Sequence, residues 1–431
     1  MWAIQQDHLN PDLLVLAAEF GLYTSINGGA NWHRLEGGVP TISFRDLKLQ
    51  RRDDDVVGAT FGRGFYVLDD YGPLRELADG LADGVTDAGA GTLFGVRDAW
   101  WYIPMVPSQA LGRPTHGSTA YVGENPPFGA VFTYWMADTP ETSRDARQAE
   151  EAELAERGSD VPFPGYDRLR AEALEQGPKV LLQVMDASGE TVRWVEGPAR
   201  AGVHRVSWDL RRPAPDAISL STPGFVPPWA SDPRGPLVAP GSYSVRMHLV
   251  TAHGVEPVGS QEDFEVVPVP TLLPGTDPVL VADFQFRGSE LMRRIGGMGT
   301  VMGDVQNRLR HMRAALVQTP GADPALYGRM DAVAETLAAI QMELWGDPAR
   351  SRLSQSSAPG VSGRVGRVIG GHWDTRQMPT ATMRRNLEIA EGDLGGLEER
   401  LSALVDGELM AVEEALAAAG APWTPGRRIG G

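Results

Sequence analysis

The sequence predicts a multidomain α+β protein in which β-rich modules come first and an antiparallel helical bundle comes last. Three observations support this fold class. Strand patterns recur near the N-terminus, alternating strands fill the middle of the chain, and apolar residues repeat at helical spacing in the last third. At 431 residues the chain exceeds the roughly 250 to 300 residues that one hydrophobic core supports, so several domains are expected.

Charge and composition exclude several classes of function. The chain has 39 basic and 56 acidic residues, and its net charge of −17 would repel a nucleic-acid backbone. It has no cysteine, which excludes disulfides and thiolate metal sites. No apolar run approaches the roughly 18 residues of a membrane-spanning helix. We expect neither a nucleic-acid partner nor a membrane span. The spacing of the histidines predicts no metal site, and we expect no cofactor.

The first 75 residues contain a repeat. Residues 10–26 and 53–70 each run from a polar turn through an apolar strand and a Phe-Gly pair to an aromatic strand, and the two pairs lie 41 residues apart. This period is typical of four-stranded β-propeller blades. Strands are predicted near residues 13–19, 21–26, 32–35, 44–50, 56–61 and 64–69. Because a propeller needs at least about four blades, we expect residues 1–75 to be its last blades and the chain to be the C-terminal part of a longer protein.

The stretch SINGGANW, residues 25–32, predicts a tight hairpin. Ser25, Asn27, Gly29 and Trp32 occupy the places of a Ser-x-Asp-x-Gly-x-x-Trp motif, with Asn in the Asp position. A short amide side chain can bond the backbone two residues on, Gly tolerates positive φ, and the Trp ring is expected to be buried between sheets.

This motif and the string TFGRGFYVLDDYGPLR, residues 60–75, resemble the BNR or Asp-box propellers of sialidases and the sortilin N-terminal domain, and more closely bacterial proteins labelled glycosyl hydrolase or sortilin-like. The resemblance implies that the box is a structural hairpin on the propeller rim. It also implies a secreted, periplasmic or envelope location.

The middle of the chain predicts a connector and a β-sandwich. Residues 76–128 are rich in Gly, Pro and Ala and are expected to form a connecting segment that packs on the surface of the propeller. Residues 129–270 contain alternating strands, and GVHRVSWDL and PGSYSV within them resemble an immunoglobulin-like sandwich of the flagellar hook-capping type. An insertion at 141–177, with ten acidic and five basic residues up to position 176, predicts a solvated helical hairpin. The alternative is an acidic docking surface.

The last third predicts three long antiparallel helices that form a bundle over residues 280–420, since each carries a stripe of apolar residues. The polar, Gly-rich stretch 346–379 is expected to be irregular. Within the first stripe, IGGMGTVMG (residues 295–303) is better explained by close helix packing than by a phosphate-binding loop. The three stripes are Leu291, Ile295, Met298, Met302, Val305, Leu309, Met312 and Leu316; Leu326, Met330, Val333, Leu337, Ile340 and Leu344; and Met383, Leu387, Ala390, Leu394, Leu397, Leu401 and Leu404.

Candidate catalytic residues are few. Glycoside hydrolysis needs two carboxylates about 5 to 10 Å apart, for which the candidates are Glu19, Asp46, Asp69 and Asp70. The sialidase resemblance adds Arg45, Arg63 and Tyr66 beside Glu19 as binding residues. Ordinary positions in a blade explain all of them.

We therefore expect a non-catalytic region that binds glycans or protein partners and packs against further propeller blades. The alternative is a glycoside hydrolase, sialidase-like or glucan-acting, whose active site lies mainly in other blades. A third hypothesis is an assembly subunit held together through the helical bundle.

Overall fold

The computed structural model describes residues 1–82, 89–104, 125–221, 224–227, 230 and 232–427. The fold is mixed α+β, with several antiparallel sheets and long helices. The described residues divide into two compact units. The first contains residues up to 101, residues 125–210 and residues 241–267; the second contains the described residues of 102–104, 211–240 and 268–427.

The chain begins with two antiparallel sheets, which we call the N-terminal sheet pair. The order is β1-β2-β3-β4 in one sheet and β5-β6-β7 in the other. The six strands predicted from the sequence are confirmed within two residues, and β1 was not predicted. The strands are β1 (Ala3–Gln6), β2 (Leu14–Ala18), β3 (Gly21–Ser25), β4 (His33–Arg34), β5 (Phe44–Gln50), β6 (Asp55–Thr60) and β7 (Phe65–Leu68).

One face of each sheet is buried in a core that the pair shares. Val15 and Leu22 from the first sheet and Phe44 and Val56 from the second belong to one cluster of buried side chains. Since side chains alternate between the faces of a strand, the neighbouring residues lie on the outer faces. The two sheets therefore stack on one another and leave one outer face each.

A buried charge network fastens the helix α1 (Gly72–Ala82) to the start of the sheet pair. The carboxylate of Asp7 accepts hydrogen bonds from the Tyr71 hydroxyl (2.8 Å) and from the Arg75 guanidinium (2.7 and 2.9 Å). Arg75 also bonds Asp54 at 2.9 Å. Burial alone would raise the pKa of Asp7, but the bonds from Arg75, the Asn10 amide and Tyr71, and the charge of Arg75, hold that pKa well below its usual range.

The rest of the first unit contains a two-sheet module. The sheet orders are β13-β10-β8 and β12-β11-β14-β15-β9. Aromatic side chains join the two sheets, because the Phe264 ring lies 5.8 Å from Phe132 and 6.3 Å from Trp208. The strands are β8 (Gly91–Leu93), β9 (Ala99–Trp101), β10 (Ala130–Met136), β11 (Lys179–Asp186), β12 (Thr191–Pro198), β13 (Gly202–Trp208), β14 (Gly241–Thr251) and β15 (Gly254–Pro268).

The connector prediction for residues 76–128 is wrong in its described part. Strand β8 pairs with β10, and β9 lies beside β15, so each of them extends a sheet of the two-sheet module. Both strands have only three residues, and too few side chains alternate for a strand pattern to be recognised. Residues 105–124 lie outside the described part of the chain.

The insertion forms a helical hairpin, as expected, which we call the acidic arm. Its helices are α2 (Ser143–Glu156) and α3 (Tyr166–Leu174), and neither has a buried residue. Thr142 caps α2 with a reciprocal bond to Asp145. The arm is therefore helical without an apolar core of its own.

In the second unit, the three predicted apolar stripes lie on helices, and their residues are buried in one core except for Met383, which is partly buried. The prediction that 346–379 is irregular is wrong, because α6 and α7 lie within it. The helices are α4 (Pro278–Val317), α5 (Leu326–Trp345), α6 (Pro348–Arg352), α7 (Val361–His372), α8 (Ala381–Ala403) and α9 (Met410–Ala418), and the π-helical turn Leu404–Leu409 joins the last two.

Helices α5 and α7 both run antiparallel to α4. Arg313 near the end of α4 bonds Asp331 near the start of α5 at 2.7 Å, and Phe284 near the start of α4 contacts His372 at the end of α7 at 5.1 Å. Helix α7 begins beside the end of α5. The backbone at Gly360, just before α7, lies so close to α5 that an added Cβ would be 2.7 Å from the Leu344 carbonyl oxygen. The middle member of the predicted three-helix bundle is therefore two successive helices.

Ion pairs show that α4 runs parallel to α8 and α9. The partners are Arg287 with Glu391 (2.8 Å), Arg294 with Glu398 (2.5 Å) and Arg308 with Glu413 (2.5 Å). The sequence separation is 104 residues for the first two pairs and 105 for the third. Because a π turn inserts one extra residue into a helix, the π turn between Glu398 and Glu413 accounts for the difference.

The Gly-rich stretch 295–303 lies inside α4, not in a loop after a strand. A Cβ added at Gly299 would lie 3.4 Å from the Trp345 ring, which supports the packing explanation. Among the described residues, no helix has both the length and the apolar character needed to span a membrane.

Candidate functional site

The Asp-box hairpin uses its polar side chains to hold its own turn. Ser25 Oγ accepts a hydrogen bond from the Gly29 amide (2.9 Å), and Asn27 Oδ1 accepts one from the Asn31 amide (2.9 Å). Gly28 and Gly29 have φ of 65° and 94°. These contacts are those of a structural hairpin. The expectation for Trp32 is wrong, because 37% of this residue is exposed.

A second group of side chains meets at one end of the N-terminal sheet pair. We call Trp2, Glu19, Ser43, Arg45 and Phe61 the contact cluster. The Trp2 indole donates to Glu19 Oε2 at 2.8 Å, and the Ser43 hydroxyl donates to the same oxygen at 3.4 Å. The Arg45 guanidinium lies 3.7 Å from the centre of the Trp2 ring and 5.2 Å from that of Phe61.

The turns and strand starts of both sheets position the contact cluster. Glu19 lies in the β2–β3 turn and Phe61 in the β6–β7 turn, while Trp2 and Ser43 precede β1 and β5. Backbone bonds fix these connectors, because the Trp2 amide donates to Ala17 and the Phe61 amide donates to Ser43, each at 2.9 Å. The cluster is therefore shared between the two sheets.

The contact cluster combines exposed aromatic surface with fixed charges. Trp2 is 50% and Phe61 70% exposed. Arg45 Nη2 lies 3.9 Å from Glu19 Oε1, and Arg45 Nε is buried with no hydrogen-bond partner among the described residues. Aromatic faces accept apolar and sugar-ring surfaces, and a guanidinium with a carboxylate orients polar groups. This arrangement suits ligand binding.

The structure brings together two of the four predicted binding residues, Glu19 and Arg45. Arg63 lies in the β6–β7 turn, where its amide bonds the Thr60 hydroxyl at 3.2 Å. The Tyr66 ring packs edge-on against Phe44 at 5.8 Å and belongs to the core of the sheet pair. No local stretch of sequence signals Trp2 or Phe61, because Trp2 meets Arg45 only when the two sheets stack and Phe61 meets it only when β5 pairs with β6.

Two of the carboxylates proposed for hydrolysis, Asp69 and Asp70, lie far from Glu19. Asp70 follows β7 and its amide bonds Asp55 at the start of β6, whereas Phe61 follows the end of β6. Six residues of strand span about 20 Å, so Asp69 and Asp70 lie at the far end of the sheet from Glu19. Asp46 lies within β5, and its carboxylate accepts a bond from the Leu47 amide at 2.8 Å.

Asp69 and Asp70 form a structural joint with the two-sheet module. Arg205 from β13 donates to their backbone oxygens at 2.8 and 2.9 Å, and Arg97 lies 3.6 Å from the Asp70 carboxylate. Burial raises the pKa of Asp70, and the charges of Arg97 and Arg205 oppose that rise. These contacts explain both residues without catalysis.

His372 and His204 are packed residues. His372 is buried, with Nε2 2.9 Å from the Gln377 carbonyl oxygen, and burial lowers its pKa. His204 Nε2 lies 2.6 Å from the Arg200 carbonyl oxygen. Within the part of the chain that the structure describes, no three His, Asp or Glu side chains converge as metal ligands would.

Neither the scan against protein-family models nor the search of curated proteins finds a match for this chain. The resemblance to BNR propellers therefore stays a prediction.

Proposed function

We propose that this chain is a binding and scaffolding protein rather than a self-sufficient enzyme, and that its ligand, a glycan or a protein segment, contacts the contact cluster. The observation that carries the proposal is the meeting of Trp2, Arg45 and Phe61 with Glu19 at the connector end of two stacked sheets. We assign the sheet pair to the BNR-type propeller class and the two-sheet module to the immunoglobulin-like class as parts of the same proposal.

The outer faces of the sheet pair support the propeller assignment. On the first sheet, Ile4 pairs with Leu16, which pairs with Tyr23, and Ile4 is 46% exposed. On the second, Phe65 and Val67 are 74% and 53% exposed. An apolar row on each outer face suits a stack that continues with further sheets, because each sheet then buries both faces. We propose that further blades of the same propeller pack against these two outer faces.

The contact cluster favours binding over hydrolysis. Its carboxylate, Glu19, already accepts bonds from Trp2 and Ser43 and faces Arg45. Two other candidate acids, Asp69 and Asp70, lie about 20 Å away at the opposite end of the sheet. A glycosidase whose active site lies mainly in other blades is the alternative we retain.

Substitution in the contact cluster is expected to remove ligand binding without unfolding the sheets. We expect Trp2→Ala and Arg45→Ala each to weaken binding at least about tenfold, a loss of about 1.4 kcal/mol, since each removes a stacking surface. Isothermal titration calorimetry with sialosides and β-glucans, chosen by a glycan array, measures this. Arg63→Ala is the matched control, because Arg63 lies in the neighbouring turn but outside the cluster.

Two results would contradict the proposal. One is equal affinity of wild type and both cluster variants for the ligand that the array selects. The other is turnover of a sialoside or β-glucan by this chain with no measurable binding at the cluster.

A further inference from the structure

The acidic arm is a surface that no other feature of the protein explains. Its two helices are joined by an ion-paired seam, in which Arg147 bonds Glu172 at 2.8 Å and Glu151 at 2.7 Å. The side chains of Arg147 and Glu172 are only 12% and 5% exposed. The seam holds the two helices of the hairpin together.

The tip of the arm exposes aromatic residues. Phe163 and Tyr166 are 63% and 70% exposed, and their rings pack edge to face at 5.0 Å. Val161 beside them is 46% exposed. Glu156 and Asp160 flank this tip, and neither has an ion pair within the described residues. The arm therefore presents an exposed apolar contact with two unpaired carboxylates beside it.

The same chain carries a segment of opposite charge. Residues 347–385 contain seven arginines and two aspartates, an excess of five positive charges, whereas residues 141–176 have an excess of five negative charges. Within this arginine-rich segment, Arg367 on α7 and Arg384 on α8 are exposed and have no carboxylate partner in the described parts of the chain. This segment is positively charged, although the protein as a whole has a net charge of −17.

Helix packing places these two arginines at a similar level along α7 and α8. Arg364 bonds Asn386 at 3.2 Å, and a Cβ added at Gly371 would lie 3.2 Å from Met383, so α7 and α8 run antiparallel. Arg367 lies one turn beyond Arg364 in the direction of Met383, and Arg384 lies next to Met383. Guanidinium groups pair with carboxylates and also stack on aromatic rings.

We propose that the acidic arm of one copy docks on the arginine-rich segment of a second copy. The rings of Phe163 and Tyr166 and the carboxylates of Glu156 and Asp160 meet the guanidinium groups of Arg367 and Arg384. The contact is small and charged, so the association is reversible and sensitive to salt. It is independent of the ligand site proposed above.

Sedimentation equilibrium of the full chain tests the proposal with paired charge reversals. We expect Glu156→Arg with Asp160→Arg, and separately Arg367→Glu with Arg384→Glu, each to weaken self-association at least about tenfold. An equimolar mixture of the two variants restores association, because each reversed surface then meets its opposite. Raising the ionic strength to about 1 M, where the Debye length is about 3 Å, dissociates the wild type.

Glu399→Arg with Glu414→Arg is the control for the reversal on the acidic arm, since it makes the same change in net charge at exposed residues outside both surfaces. Phe65→Ser with Val67→Thr tests association through an outer sheet face and is expected to leave the association unchanged. The proposal is overturned by a wild type that stays monomeric at low salt, by a mixture that fails to associate, or by a control that weakens association equally.

Discussion

Replacing Asp7 by Asn is expected to lower the unfolding free energy of the first unit by about 3 kcal/mol, because removing one partner of a buried ion pair leaves the other charge uncompensated. The Asp7 side chain is fully buried against Tyr71 and Arg75. Arg75 keeps its bond to Asp54 in the variant, which limits the loss. Hydrogen exchange of the β2 and β6 amides measures the effect within this unit.

The same variant is expected to change the response to acid. The pKa of Asp7 in the folded protein lies below its ordinary value of 3.8. Its contribution to stability is therefore fully present above that value and is lost as the pH falls below about 4. Asp7→Asn should lose less stability than the wild type between about pH 4 and pH 2.

Asp53→Asn is the control for this experiment. Asp53 pairs with Arg52 at 2.7 Å, but the two side chains are 37% and 84% exposed, so its loss should cost less than about 1 kcal/mol. Equal losses in both variants, or an unchanged acid response in Asp7→Asn, would show that the buried network does not hold α1 to the sheets.

Deleting Gly396 is expected to disrupt the second unit, whereas deleting Gly407 is expected to be tolerated. A deletion rotates the residues after it by about 100° around the helix axis. Loss of Gly396 turns Leu397, Leu401 and Leu404 away from the core, at a cost of about 6 kcal/mol or more. Loss of Gly407 removes the extra residue of the π turn and keeps Glu413 opposite Arg308.

Circular dichroism with urea titration of the two deletion variants measures the difference. Both deletions remove one glycine from the same continuous helical rod, so chain length and composition are matched. Equal instability of the two variants would contradict this account. It would show that the fold requires the π turn, and that the turn is not a one-residue insertion that the helix can lose.

The apolar stripes of the second unit were predictable because period alone determines which residues are buried on a helix. The spacing of apolar residues also indicated two features that we did not predict, the helix α7 and the π turn. Val361, Val365, Val368 and His372 have helical spacing on α7, but the glycines among them favoured an irregular segment. The step of five residues from Leu404 to Leu409, both buried, is where the π turn lies.

The strands of the sheet pair were predictable from alternation and turn residues, whereas the contact cluster was not. Trp2 and Arg45 are 43 positions apart and meet only because two sheets stack. Short strands were missed for a related reason: β8 and β9 are defined by their partners β10 and β15 rather than by their own patterns. Contacts that depend on sheet stacking carry no signature in a local stretch of sequence.

The most direct test of the binding proposal is a titration followed through the indole N–H signals of the protein's 11 tryptophans in nitrogen-15 nuclear magnetic resonance spectra. The Trp2 indole N–H bonds Glu19, so it reports on the contact cluster, while Trp32 reports on the Asp-box hairpin. On addition of the glycan chosen by the array, we expect the Trp2 signal to shift and the Trp32 signal to stay in place. A bound glycan that moves other tryptophan signals and leaves Trp2 unchanged would contradict the account.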